Sequence, residues 1–318
     1  MTNMKKELNM QAESFTPTFI PKQMFIKARG MQFCVEERGD PSGPSIVLIM
    51  GFACQMTHWP ESLLDSLAQQ GHRVICFDNR DIGLSDKLHS KIKVDIRKAF
   101  LYHKLGFNLR ANYTLHDMAE DTASLMAALE IENAHVVGVS MGGMIAQLLA
   151  AHYPNKVRSL TAIMSSTNSP KLPMPELGLM LKLSKTGPSA NDMESVTKRW
   201  INFWNAVQSP GYPTAIATIR ELMEANYKRN FSPAGTLRQL QAILATGSLE
   251  KVIRKINVPT LVIHGERDPL LKPACGKAIS KGIKGAQFKL IQGMGHDLPE
   301  PLIPEFVRLI SENVKSRC

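Results

Sequence analysis

At 318 residues the chain is long enough for one large domain, or for a core domain carrying an insertion. Hydrophobic residues make up 44 % and charged residues 21 %, a balance that excludes a disordered chain; no apolar run approaches the ~18–20 residues that cross a bilayer. The net charge of +10 raises the question of an anionic partner. No zinc-finger spacing, helix-turn-helix or aromatic-spaced RNA motif accompanies it, so dedicated nucleic-acid binding is not expected.

Residues 1–22 are polar and read as an N-terminal arm without the apolar stretch of a secretory leader. "MFIKA" and "MQFCVEERG", separated by Arg29-Gly30, read as a hairpin. "SIVLIM" is a continuous apolar run ending at Gly51, the pattern of a strand buried on both faces. "PESLLDSLAQQG" reads as an amphipathic helix, and "HRVICF" as another buried strand. From Lys87 to Arg110 seven Lys/Arg face one acid, Asp95. This stretch reads as a solvated insertion loop, which offers at most weak contact to an anionic surface.

Beyond it, "TLHDMAEDTASLMAALEI" reads as a helix opened by a capping box of Thr114 and Asp117. "AHVVGV" is a strand, "MGGMIAQLLAAHYP" a helix stopped by Pro154, and "SLTAIMSS" a strand. The alternation argues for an α/β fold with a parallel sheet covered on both faces. It stops over 165–249, where every segment is helix-like, and resumes with "VPTLVIHGERD", "PACGKAIS", "AQFKLIQ" and "IPEFVRLISENV". The expected organisation is therefore core over 23–164, helical insertion over 165–249 and core again over 250–318. Five cysteines (Cys34, Cys54, Cys76, Cys275 and Cys318) with no CxxC pair fit free thiols in a reducing, cytoplasmic setting.

The chemistry gathers at "GVSMGG", Gly138 to Gly143. A serine between glycines, where a strand turns sharply into a helix, is the G-x-S-x-G elbow. Gly138 and Gly142 remove side chains that would collide across the turn. Ser140 is thereby presented at the carboxyl edge of the sheet, beside the free N–H groups of a helix. A dinucleotide loop would need glycine at position 140, and a phosphate loop would need a following Lys; both are excluded.

A serine hydroxyl needs a base, and the base an orienting acid. Of nine histidines, His296 lies in the loop "GMGHDLP" after the last expected strand; His58 is the alternative. In folds built on such an elbow the acid falls between serine and histidine, which points to Asp268 in the turn after "TLVIHG", with Glu266 second. Asp297 reads as a turn acid. Backbone N–H groups of Met141 and Phe52 are the expected oxyanion donors, with Gly51 permitting the turn at Phe52. Leu181, Trp200, Phe203, Trp204 and Met223 of the insertion are candidate acyl-pocket residues. "DNRDIGLSD" reads as a structural turn in which Arg80 pairs with nearby acids.

Together "LIMGFACQMTHWP", "DNRDIGLSD", "AHVVGVSMGGMIAQLLAAHYP", "VPTLVIHGERDP" and "GMGHDLP" resemble the α/β-hydrolase superfamily, most closely the aclacinomycin methylesterase-type carboxylesterases. The resemblance implies a mostly parallel eight-stranded sheet with a helical cap after the sixth strand. It implies a Ser140–Asp268–His296 triad cleaving small esters through an acyl-enzyme, without metal or cofactor. Carbon–carbon, thioester or amide hydrolysis and perhydrolysis use the same triad, and a silent, ligand-binding member of the fold is a further possibility. Serine at position 140 speaks against dehalogenase and epoxide hydrolase chemistry.

Overall fold

The computed structural model describes residues 19–89, 95–107, 109–173, 175 and 192–316. The expected arm falls almost wholly outside these residues, as do Leu181 and Cys318. Eight strands form one sheet in the order β1-β2-β4-β3-β5-β6-β7-β8. They are β1 (Lys22–Ala28), β2 (Met31–Gly39), β3 (Ser45–Ile49), β4 (Arg73–Phe77), β5 (Ala134–Val139), β6 (Val157–Ile163), β7 (Thr260–Gly265) and β8 (Gln287–Ile291). The β1–β2 hairpin and its junction with β4 are antiparallel; all other pairs are parallel.

Strand periodicity divides the core between the two faces. Val47, Ile49, Ile75 and Phe77 pack with α3 (Leu115–Ala128) and α4 (Met141–His152). Ile46, Leu48, Val74 and Cys76 point the other way, onto α1 (Glu61–Gln69) and α9 (Ile303–Lys315). Helix α9 shows why it lies flat on the sheet: Phe306, Ile310 and Val314 are buried, while Arg308 and Glu312 on its other side pair at 2.6 Å in solvent. The capping box of α3 is present, with Asp117 accepting from the Thr114 N–H at 2.8 Å. Gly276 of α8 (Pro273–Gly282) lies against His264 of β7.

The basic stretch departs from the expected loop. Residues Ile96–Leu105 form helix α2, opened by Asp95, whose carboxylate accepts the Lys98 N–H at 3.0 Å, and closed by Gly106 at φ 71°. Ala99 is fully buried. The apolar positions of this helix are diluted by lysines and arginines, so the charge pattern hides the helical one.

Between β6 and β7 the described residues form α5 (Met193–Val207), α6 (Ile216–Arg229) and α7 (Pro233–Thr246), with a small core of their own around Ile201, Ile219 and Met223. Helix α2 packs against α7. The turn after β4 anchors this layer, in a way the sequence reading did not anticipate. Arg80 pairs with Asp121 of α3, through Nε and Nη2 at 2.5 and 2.6 Å, and not with the acids beside it. Asp78 instead holds Arg229 of α6 at 2.7 Å, and Asp81 holds Arg238 of α7 at 2.7 and 2.9 Å. Both aspartates are fully buried, so each arginine compensates a charge removed from water.

Candidate active site

Ser140 stands between β5 and α4 at φ 53°, ψ −117°. A non-glycine residue held there costs roughly 1–3 kcal/mol, and the surroundings impose it. The Ser140 N–H donates to the Ile163 carbonyl of β6 at 2.9 Å, and the Ser165 hydroxyl donates to the Ser140 carbonyl at 2.8 Å. The flanking glycines have separate reasons. A Cβ on Gly138 would lie 2.3 Å from the Gly142 carbonyl oxygen, across the turn. A Cβ on Gly142 would lie 2.0 Å from the Ile49 carbonyl oxygen, so this glycine lets α4 press against the end of β3.

The other two side chains arrive from the ends of β7 and β8. His296 Nε2 lies 3.1 Å from Ser140 Oγ, and His296 Nδ1 lies 2.7 Å from Asp268 Oδ2. Asp268 is fully buried, and its second oxygen accepts the N–H groups of Leu270 and Leu271 at 2.9 and 2.8 Å. Burial alone would raise its pKa, but the His296 charge and hydrogen bonds from His264 and His296 outweigh it and lower the value to about 2. Asp268 is thus a fixed anion turned to one edge of the imidazole, and the other edge faces the hydroxyl. That chain of contacts can draw a proton from Ser140.

The N–H groups of Met141, the first residue of α4, and of Phe52, after β3, donate to no other described residue. Phe52, Ser140 and Met141 all border a cavity of about 1050 Å³. Gly51 serves closeness more than turning: its Cβ would sit 3.4 Å from that of Ser140, and the left-handed residue of the loop is Ala53, at φ 60°. Ala53 is tied to α7, its N–H donating to Gln239 Oε1 at 3.0 Å.

The family model for the alpha/beta hydrolase fold matches residues 44–300, a span that includes all of these groups. The chain belongs to the α/β-hydrolase family. This α/β-hydrolase is 28 % identical over 290 residues to rhodomycin D methylesterase of a Streptomyces species (strain C5), covering 83 % of this chain and 90 % of that protein. It is 24 % identical to 3-oxoadipate enol-lactonase 1 of Acinetobacter baylyi, over 92 % of this chain and 97 % of that one. Among solved structures, an esterase from Exiguobacterium antarcticum superposes with a TM-score of 0.71 at 20 % identity, covering 93 % of this chain and 100 % of that one; at that identity the likeness concerns the fold alone.

Within this α/β-hydrolase the alternative candidates lie elsewhere. His58 is half-buried under α5, its ring stacked on Trp204 at 6.4 Å and its Nδ1 3.2 Å from the Gln55 carbonyl; desolvation lowers its pKa to about 4. Glu266 accepts the Gly293 N–H at 3.3 Å. Trp200 and Phe203 line the cavity. Trp204 and Met223 do not; they belong to the packing of the helical layer, because the face of α5 that carries Trp204 turns toward α6 and His58.

Two residues were missed, and the burial of a third. His264, fully buried, places Nε2 2.7 Å from the Leu271 carbonyl and 3.5 Å from Asp268. Asp297 lies in the bend after β8, as a turn acid should, but out of solvent. It is buried, accepts the Ser209 N–H at 3.0 Å and the Ser209 hydroxyl, and burial pushes its carboxyl up against those hydrogen bonds. Ser209 Oγ also accepts the Gly295 N–H at 2.8 Å, and the His296 N–H donates to the Val207 carbonyl at 2.7 Å. The end of α5 therefore holds the histidine loop from both sides of His296. The one sequence sign was an acid directly after the histidine. Among the described residues no group of three or more His, Cys, Asp or Glu could hold a metal ion.

Proposed function

We propose that this α/β-hydrolase is a serine carboxylesterase in which Ser140, His296 and Asp268 act as the catalytic triad. Ser140 Oγ bonds to the ester carbonyl carbon as its proton passes to His296 Nε2. The resulting oxyanion rests on the N–H groups of Phe52 and Met141, each worth ~2.7–4 kcal/mol in the transition state. The carbon–oxygen bond to the leaving alcohol then breaks, and the alcohol takes the proton from His296. Water, deprotonated by the same imidazole, releases the acid and restores Ser140. Asp268 keeps the ring oriented and offsets its charge throughout. Helices α5–α7 and α2 act as the cap that selects the substrate.

The observation that carries this reading is the unbroken contact from Asp268 through His296 to Ser140, at 2.7 and 3.1 Å. Relatives named as a methylesterase and an enol-lactonase favour an ester over a thioester or amide. Ser140→Ala abolishes turnover of p-nitrophenyl butyrate with the circular dichroism spectrum unchanged, and a fluorophosphonate labels Ser140 alone. Turnover retained by Ser140→Ala, or a label elsewhere, refutes the assignment. A panel of matched esters, thioesters and amides then ranks the bond types.

A further inference from the structure

We propose that the cavity beside Ser140 receives esters whose apolar body carries an anionic group remote from the scissile carbonyl, with Lys104 supplying the opposite charge. This rests on the esterase reading and adds the substrate's size and charge to it.

At about 1050 Å³ the cavity stands at the top of the range for small-molecule sites, far more than a short-chain ester fills. Its walls are largely apolar, with Phe100, Met144, Trp200, Phe203, Leu240 and Ile243 among them. Among the described lining residues the charged side chains are cationic. Lys104 and Arg199 border the cavity, and no Asp or Glu is among its described lining residues. His103 is no counter-charge to them and adds little positive charge, because burial lowers its pKa and favours the neutral ring. The two cations come from separate elements, Lys104 from α2 and Arg199 from α5, so they are not two neighbours on one solvated helix face.

Lys104 lies exposed and makes no ion pair with any described residue. Its one hydrogen bond to a described residue runs to the Pro170 carbonyl at 3.4 Å, and an ammonium has three N–H donors. Low-dielectric walls focus the field of such charges into the cavity and favour an anion over a cation there. The basic stretch thereby acquires a role beyond its packing against α7. Its helix forms a wall of the cavity through Phe100, His103 and Lys104, which couples the chain's local positive excess to substrate choice. A nucleic acid does not fit an apolar recess of this kind.

The test uses two matched pairs. One is a p-nitrophenyl ester of an ω-carboxy acid against its methyl-terminated analogue of equal length. The other is lauroyl glycerol phosphate against monolauroylglycerol. The parent protein favours the anionic member of at least one pair by about threefold to tenfold in kcat/KM, and raised salt shrinks the preference. The pair that shows it distinguishes an acid-side anion from a lipid-type headgroup. Lys104→Gln brings the ratio toward one, and Lys104→Glu inverts it. Neutral members favoured in both pairs, or a ratio untouched by both substitutions, overturns the proposal. If p-nitrophenyl butyrate is not turned over at all, the esterase reading fails by itself. The charge preference is then decided by quenching of tryptophan fluorescence, where equal affinities for dodecyl phosphate and dodecanol overturn it.

Discussion

Replacing Ser209 by Ala removes one oxygen that lies outside the Ser140–His296–Asp268 chain yet bonds directly to its supporting loop. The hydroxyl donates to Asp297 and accepts the Gly295 N–H at 2.8 Å, and Ser209 is fully buried. Losing a hydrogen bond to an ionised group costs about 1.5–3 kcal/mol, and stranding the buried Gly295 N–H about 1–3 kcal/mol more. The Ser209 N–H still donates to Asp297 at 3.0 Å, which recovers part of this. The expected net destabilisation is therefore about 3 kcal/mol, near the lower end of the summed span of about 2.5–6 kcal/mol. Urea unfolding followed by tryptophan fluorescence measures it, and Trp200 and Trp204 lie in the helix that ends at Val207. Because Gly295 precedes His296, the imidazole loses part of its positioning. The kcat for p-nitrophenyl butyrate falls about 10- to 100-fold with KM nearly unchanged. Ser209→Thr, which retains the hydroxyl, restores most of both. Parental stability together with parental kcat in Ser209→Ala refutes the claim that α5 sets the position of the histidine.

Gly142→Ala places a Cβ 2.0 Å from the Ile49 carbonyl oxygen, so α4 must move away from β3; kcat collapses and stability falls by about 1–3 kcal/mol, and an active, stable variant contradicts the contact. His58→Gln keeps the parental kcat, because that ring packs on Trp204 and not against Ser140; its inactivation revives His58 as the base. Asp268 has a folded pKa of about 2, below its ordinary 3.8, so its stabilisation is complete above about pH 4 and is lost as pH falls toward 2. That contribution is about 2 kcal/mol, and acid titration of Asp268→Asn shows a correspondingly shallower loss over this range; parallel curves for the two proteins refute the linkage.

Strands β3 to β7 were legible because each is a short, mostly apolar run, and buried parallel strands leave no other pattern, while β1 and β2 showed as a hairpin about Arg29-Gly30. Ser140, His296 and Asp268 were legible because the elbow glycines mark the first and chain order restricts the other two. Helix α2 was not, since lysines and arginines mask the spacing of Ala99, Phe100 and His103. The partners of Asp78 and Asp81 lie about 150 residues downstream, at Arg229 and Arg238, beyond any local pattern. Ser209, the buried partner of Asp297, and His264 were missed for a related reason. A hydrogen bond between distant buried groups leaves no periodicity behind, and a lone serine or histidine has many uses.

The contact between Gly142 and the Ile49 carbonyl works like the closed jaw of a calliper. The Phe52 and Met141 N–H groups sit on its two arms, so the gap between them is set where one residue has no side chain to vary. Substitution can reshape the cavity walls on α2, α5 and α7 without touching that gap. On the proposed assignment, this chain therefore has wide latitude in what it binds and almost none in how it would hold an oxyanion.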